Sequence, residues 1–212
     1  MFDFFTIKEN EKSELTEKKS RFICNLFYVE TKEEAENKIK EIKSKYFDAK
    51  HNCFAYRIYE NNGILEKTSD DGEPSGTAGS PMLNVLQKNN FCNVIAIVTR
   101  YFGGILLGTG GLTRAYLDVT KNTLKIAKIQ EKCLGEEIIV NLDYNNLDSF
   151  KYYCKNNNIN IINVQYLENI VCKIQVVEEK ISKFLEDFEA KKIKVNKIDV
   201  LSKKIINKCK WK

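Results

Sequence analysis

Histidine is all but absent: His51 is the only one in 212 residues. A two-metal hydrolytic centre or a clustered zinc site needs several ligands at short spacing. The cysteines do not supply them. Cys24, Cys53, Cys92, Cys133, Cys154, Cys172 and Cys209 are widely scattered and form no CxxC pair. They read as buried, reduced thiols, so neither a metal nor a cofactor is expected. No apolar run approaches the ~18 residues of a membrane helix. Met1-Phe2-Asp3-Phe4-Phe5 has neither a basic region nor a long apolar core. The expectation is a soluble, cytoplasmic chain with no membrane partner. Proline is limited to Pro74 and Pro81, and Gly135 is the only glycine outside Gly63–Gly111. Arginine is scarce too, four against thirty lysines.

What remains is concentrated. Nine of the ten glycines and both prolines lie between Gly63 and Gly111. Glycine costs conformational entropy and is used where φ > 0 or close backbone approach is required. A segment that collects it is building a particular backbone surface. Two of the four arginines, Arg100 and Arg114, flank the most unusual part, Arg100-Tyr101-Phe102-Gly103-Gly104-Ile105-Leu106-Leu107-Gly108-Thr109-Gly110-Gly111. Guanidinium offers a planar donor fork that lysine cannot imitate, although an internal ion pair is an equally good use of any single arginine. Charge is uneven as well: residues 191–212 hold nine lysines against Asp199 alone. Such a tail attracts polyanions such as RNA, and a solvated Lys-rich end fits the same residues.

Apolar spacing predicts a strand over 21–29, then a helix over 32–46 with Thr31 as N-cap and Glu34 completing a capping box. A strand over 51–59, an acidic Gly/Pro loop over 68–81, a helix near 82–88 and a buried strand over 91–99 follow. A long amphipathic helix continues from Leu112 to Ile126. This alternation predicts a sheet covered by helices on one face. Beyond Lys132 the predicted order is strand 137–144, helix 145–157, strands 158–166 and 169–177, helix 178–190 and strand 194–201. That β-α-β-β-α-β order is the ferredoxin-like split arrangement. The fold class expected is therefore α+β, with domains at 1–132 and 133–212, the second ending in the Lys-rich tail 191–212.

A strand ending in a glycine-rich turn and leading into a helix aims backbone N–H groups at one spot, where a helix N-terminus favours anions. Arg100, Gly103, Gly104, Gly108, Gly110, Gly111 and Arg114 are the candidate anion or RNA contacts. The known nucleotide motifs do not fit. No Lys-Ser or Lys-Thr follows the glycines, and Thr113 stands where the dinucleotide fingerprint needs its third glycine. A tight crossover packed through its glycines explains the same residues structurally. Asp70, Asp71 and Glu73 in the acidic loop can hold Mg²⁺ with a phosphate, serve as acid and base, or pair with Arg100 and Arg114. With no second ligand cluster, the ion pairs are preferred over metal. Arg21, His51, Thr77 and Tyr101 are supporting candidates.

These motifs resemble a known family. Lys19-Ser20-Arg21-Phe22, Ala49-Lys50-His51-Asn52-Cys53, Asp70-Asp71-Gly72-Glu73-Pro74-Ser75-Gly76-Thr77-Ala78-Gly79-Ser80-Pro81 and Arg100 to Tyr116 look like those of the YigZ/IMPACT family, in its bacterial YigZ branch. The resemblance runs from about Lys18 to Leu124 and more weakly beyond. It implies an N-terminal βαβ domain of the ribosomal-protein and translation-factor type. The C-terminal domain would look like the last domain of elongation factor G. Eukaryotic relatives regulate translation initiation by competing for the activator of an amino-acid-starvation kinase. The expected function is a non-enzymatic regulator of translation that binds ribosome or RNA. The alternatives are an enzyme or binding protein for a small phosphorylated or nucleotide ligand, and a module that binds a protein partner.

Overall fold

The computed structural model describes residues 3–60 and 63–207. The described residues divide into two compact units, one from Phe4 to Gln130 and the other from Glu131 onward. The first contains strands β1 (Asp3–Ile7), β2 (Glu11–Glu17) and β3 (Ser20–Tyr28), helix α1 (Lys32–Lys45), and strands β4 (His51–Glu60) and β5 (Gly63–Ser69). Helix α2 (Gly79–Lys88), strand β6 (Val94–Tyr101) and helix α3 (Gly108–Ile126) complete it. Its sheet has the order β2-β3-β6-β4-β5. β3 and β4 both pair antiparallel with the central β6, so they run parallel to each other. β3-α1-β4 is thus a split βαβ unit.

Helices cover both faces of this sheet, which corrects the one-face expectation. On one face Phe27, Phe54, Tyr56, Ile58, Ile95 and Ile97 pack on Ala35 and Ile42 of α1. On the other, Phe22, Cys24, Leu26, Cys53, Ala55, Ala96 and Val98 meet side chains of α2 and α3. A strand buried on both sides reads as a continuous apolar run, which is why β4 shows no apolar/polar alternation. The Thr31 cap forms as its sequence suggests, Glu34 N–H donating to Thr31 Oγ1 at 3.1 Å, while the Glu34 carboxylate reaches one residue further back than the capping box requires and accepts from Glu30 N–H at 2.7 Å. Three strands were not anticipated. β2 and β5 are charged edge strands with little buried surface. β1 is held by Phe5, which exchanges backbone hydrogen bonds with Asn90 and Cys92.

The second unit consists of β7 (Ile129–Leu142), a 3-10 turn over 144–146, α4 (Leu147–Asn156), β8 (Asn160–Tyr166), β9 (Ile170–Val177), α5 (Glu178–Glu189) and β10 (Lys197–Asn207). Antiparallel pairings give the order β10-β7-β9-β8, the ferredoxin-like sheet. Phe150, Cys154 and Phe184 of the helices pack on Ile138, Val140, Leu142, Cys172 and Ile174. Strand β10 absorbs half of the Lys-rich segment, and Lys204 and Lys173 bracket Glu137 at 2.5 and 2.7 Å. Only part of 191–212 is therefore a tail, and 208–212 lie outside the described residues. No described helix is long and apolar enough to cross a membrane.

Candidate functional site

The loop from Asp70 to Ala78 commits each of its carboxylates to the scaffold. Asp70 accepts from the backbone N–H groups of Gly76, Ala78 and Gly79 at 2.8, 3.0 and 2.8 Å, capping α2. Burial works to raise its pKa, but the three donors outweigh it and hold the carboxyl below its ordinary value. Asp71, at φ +43°, accepts from Asn52 N–H at 2.8 Å and pairs with Lys43 at 2.6 Å. Glu73 is buried. It accepts from Arg100 Nη1 at 2.7 and 2.9 Å and from the Tyr116 hydroxyl at 2.8 Å. Among the described residues no group of three or more His, Cys, Asp or Glu side chains could hold a metal ion.

Arg100 therefore lies in the interior, 6% exposed, and its charge is answered by Glu73. Its guanidinium also lies 5.4 Å from the Phe22 ring and 5.6 Å from that of Phe102. Of the two uses expected of Arg100, the ion pair with the acidic loop is the one formed here, and reaching an external anion instead would leave Glu73 buried and unpaired. The Tyr116 hydroxyl is in turn met by Cys53 Sγ at 3.3 Å, and Cys53 also donates to Asp70 O at 2.9 Å. Burial, with the neighbouring carboxylates, pushes the Cys53 thiol up to about 12, so it stays protonated near neutrality. The acidic loop, the end of β6 and the middle of α3 are thus one buried polar network. Tyr116 and Cys53 fall at the ends of quoted motifs but were not singled out as site residues, because each sits in an ordinary apolar pattern.

The supporting candidates do not converge on one spot. Arg21 pairs with Glu14 across the β2–β3 hairpin, its Nε and Nη2 each donating at 2.9 Å. His51 Nδ1 sits 2.9 Å from the carbonyl oxygen of Asp71. Thr77 Oγ1 donates to Pro74 O at 2.7 Å, and the Tyr101 hydroxyl donates to Asp48 at 2.7 Å.

The glycine segment divides by role. Gly103 is a packing glycine: a Cβ there would lie 2.0 Å from the carbonyl carbon of Lys19. Its N–H donates to Ser20 Oγ at 3.2 Å. Gly104 and Gly108 take φ of +83° and +72°, which turn the chain into α3. The helix begins at Gly108, four residues before the expected Leu112, so the second glycine cluster is its first turn and Arg114 lies in its second. No side chain caps this end, and no acidic residue occupies its first turn. Gly108, Thr109 and Gly110 are exposed, and a Cβ at Gly108 or Gly110 would meet nothing within 4 Å. Arg114 is exposed and unpaired among the described residues.

A neighbour of this surface was invisible in the sequence. Lys18 and Lys19 form the two-residue turn of the β2–β3 hairpin, both at positive φ (44° and 64°). Such turns favour Asn-Gly, so a Lys-Lys pair gave no turn signal. Lys18, Leu107, Gly111 and Arg114 line one pocket of about 200 Å³, together with Glu17 and Asp118. The β2–β3 turn, the glycine loop and α3 therefore share one surface.

Residues 18–124 match the Impact N-terminal domain, and residues 140–189 match a domain of unknown function (DUF1949). The chain is 41% identical to the Bacillus subtilis IMPACT family member YvyE, covering 88% of this chain and 85% of that protein. It is 34% identical to the Escherichia coli IMPACT family member YigZ over 81% of this chain and 86% of that one. A crystal structure described as a hypothetical protein aligns with 95% of this chain and 98% of its own, at 30% identity and a TM-score of 0.63. With the two units, the split βαβ sheet and the motif residues in these places, the chain belongs to the IMPACT family.

Proposed function

We propose that this protein is a non-enzymatic regulator of translation that binds ribosome or RNA through the surface around the α3 N-terminus. The family resemblance supplies the translation context. The observation that carries the reading is the exposed, uncapped start of α3 beside three cations, Lys18, Lys19 and Arg114, none of which has an ion-pair partner among the described residues. Unpaired first-turn N–H groups and the helix dipole favour phosphate, and the cations add attraction that falls with salt. Arg100 contributes from the interior by holding the acidic loop and the ring of Phe102.

Co-sedimentation of the full chain with ribosomes from its own cells, at low and high salt, tests this. Pelleting that is lost at high salt and reduced in Arg114→Gln and Lys18→Gln/Lys19→Gln is the expected result. Salt-insensitive pelleting, or none, would overturn it. The pocket beside Arg114 supports a second reading, a small phosphorylated ligand. Its mark would be a nucleotide or metabolite that raises the melting temperature by mass action and loses that effect in Arg114→Gln.

A further inference from the structure

Between β6 and α3 the chain places three large apolar side chains in solvent: Phe102 is 53% exposed, Ile105 42% and Leu106 83%. They occupy a five-residue stretch of the loop that precedes the uncapped helix start. Exposed apolar groups are ordinary when scattered, whereas a contiguous set within a polar rim marks a binding surface. Here the rim carries three cations, Lys18, Lys19 and Arg114, with the carboxylates of Glu17 and Asp118 beside two of them in the same pocket. Gly103 seats the loop directly on the Lys18-Lys19 turn, and Leu107 shares its pocket with Lys18 and Arg114. The ring of Phe102 is not loose, because the buried guanidinium of Arg100 lies 5.6 Å from its centroid.

A ligand for this surface needs apolar faces to cover Phe102, Ile105 and Leu106, and regularly spaced negative charge for the rim. Duplex RNA supplies only the charge, since its base faces are hidden in the stack. An unpaired strand supplies both, and aromatic platforms set beside a basic track are how such strands are bound without sequence preference. Open backbone at Gly108 and Gly110 admits a phosphate at the helix start, which a bulkier side chain would obstruct. We propose that Phe102, with Ile105 and Leu106, is a stacking platform for unpaired bases, so that single-stranded RNA is the ligand of this interface. The proposal rests on the RNA reading above and narrows it.

The test is fluorescence anisotropy on the full chain with a labelled oligoribonucleotide of about 12 nucleotides, single-stranded or annealed to its complement. The single strand should bind at least about tenfold more tightly than the duplex. Phe102→Ala should weaken single-strand binding about fivefold to a hundredfold, the range of one lost base–aromatic stack, while leaving the salt dependence unchanged. Phe102→Trp should keep near wild-type affinity, which separates loss of stacking from loss of structure. Equal binding of strand and duplex, or an unaffected Phe102→Ala, overturns the platform and leaves the RNA reading standing. Cross-linking of position 102 to a ribosomal protein and not to RNA in the ribosome pellet assigns the patch to a protein partner and also overturns it. Absence of both oligonucleotide binding and ribosome pelleting removes the parent reading itself.

Discussion

Glu73 and Arg100 show most sharply how single residues hold this surface. Both side chains are nearly fully buried, at 3% and 7% exposure. Removing one partner of such a pair leaves the other charge desolvated and unpaired, at a cost of about 3–5 kcal/mol. Glu73→Gln is expected to lower stability by that order in urea denaturation, and a double-mutant cycle with Arg100→Met should recover much of the loss. Two glycines in one motif should behave oppositely. Gly103→Ala would drive a methyl into the Lys19 backbone and is expected to displace the β2–β3 turn or destabilise the N-terminal unit by several kcal/mol, as a severe overpacking does. Gly110→Ala meets open space in the first turn of a helix, and should be neutral or stabilise by up to about 1 kcal/mol. Similar thermal shifts for the two variants would contradict this division. The thiols form a third residue-scale case. Burial pushes Cys24 and Cys154 up to about 12 and Cys92 to about 11, and the six described cysteines are all buried. The reaction of these three buried thiols with a thiol reagent is expected to be slow in the folded protein and fast in denaturant.

At the scale of elements, legibility followed burial. Helix α1 could be read from its cap and period, and β6 from five consecutive apolar residues, Val94 to Val98. Strands β2 and β5 could not, because they are edge strands whose partly solvated sequences, EKSELTE and GILEKTS, carry charge that suits an edge and resembles a loop. The start of α3 was placed too late because three glycines in four residues imitate a turn. The Lys-rich C-terminal stretch was read in two ways, as a tail by composition and as a strand over 194–201 by spacing, and 197–207 form β10 along β7. Truncation after Ala190 is therefore expected to destabilise the whole C-terminal unit, seen as loss of its protected amides in hydrogen exchange. Loss of ribosome pelleting in that truncation would report a missing strand as well as missing charge. Retained protection in β7 and β9 would contradict the role assigned to β10.

At the scale of the molecule, acid is the simplest lever on both units. Burial works against the charged form of Glu137, but hydrogen bonds from Lys173, Lys204 and Gln175 prevail and hold its pKa near 2, below its ordinary 4.5. Asp70 in the other unit is held low by backbone donors. A carboxyl whose folded pKa is depressed binds more protons when unfolded, so its contribution is complete above the ordinary value and fades as pH falls through the folded one. Melting temperature should therefore decline between about pH 4.5 and pH 2, and Glu137→Gln should flatten that decline for the C-terminal unit. An unchanged acid profile in Glu137→Gln would show that the Lys173–Glu137–Lys204 bridge contributes nothing to it.

The sequence by itself determined the α+β class, the ferredoxin-like order of the second unit and the family. These depend on local periodicity, caps and residue order, all of which are written along the chain. It also marked the acidic loop and the glycine loop as the unusual places. Only the tertiary structure decided what those residues do. Burial paired Arg100 with Glu73. A hairpin with no turn signature brought Lys18 and Lys19 beside Arg114. The loop geometry left Phe102, Ile105 and Leu106 in water. Contacts between residues 27, 43 or 83 positions apart have no local trace, because they arise from the packing of elements and not from the conformational preference of any one of them.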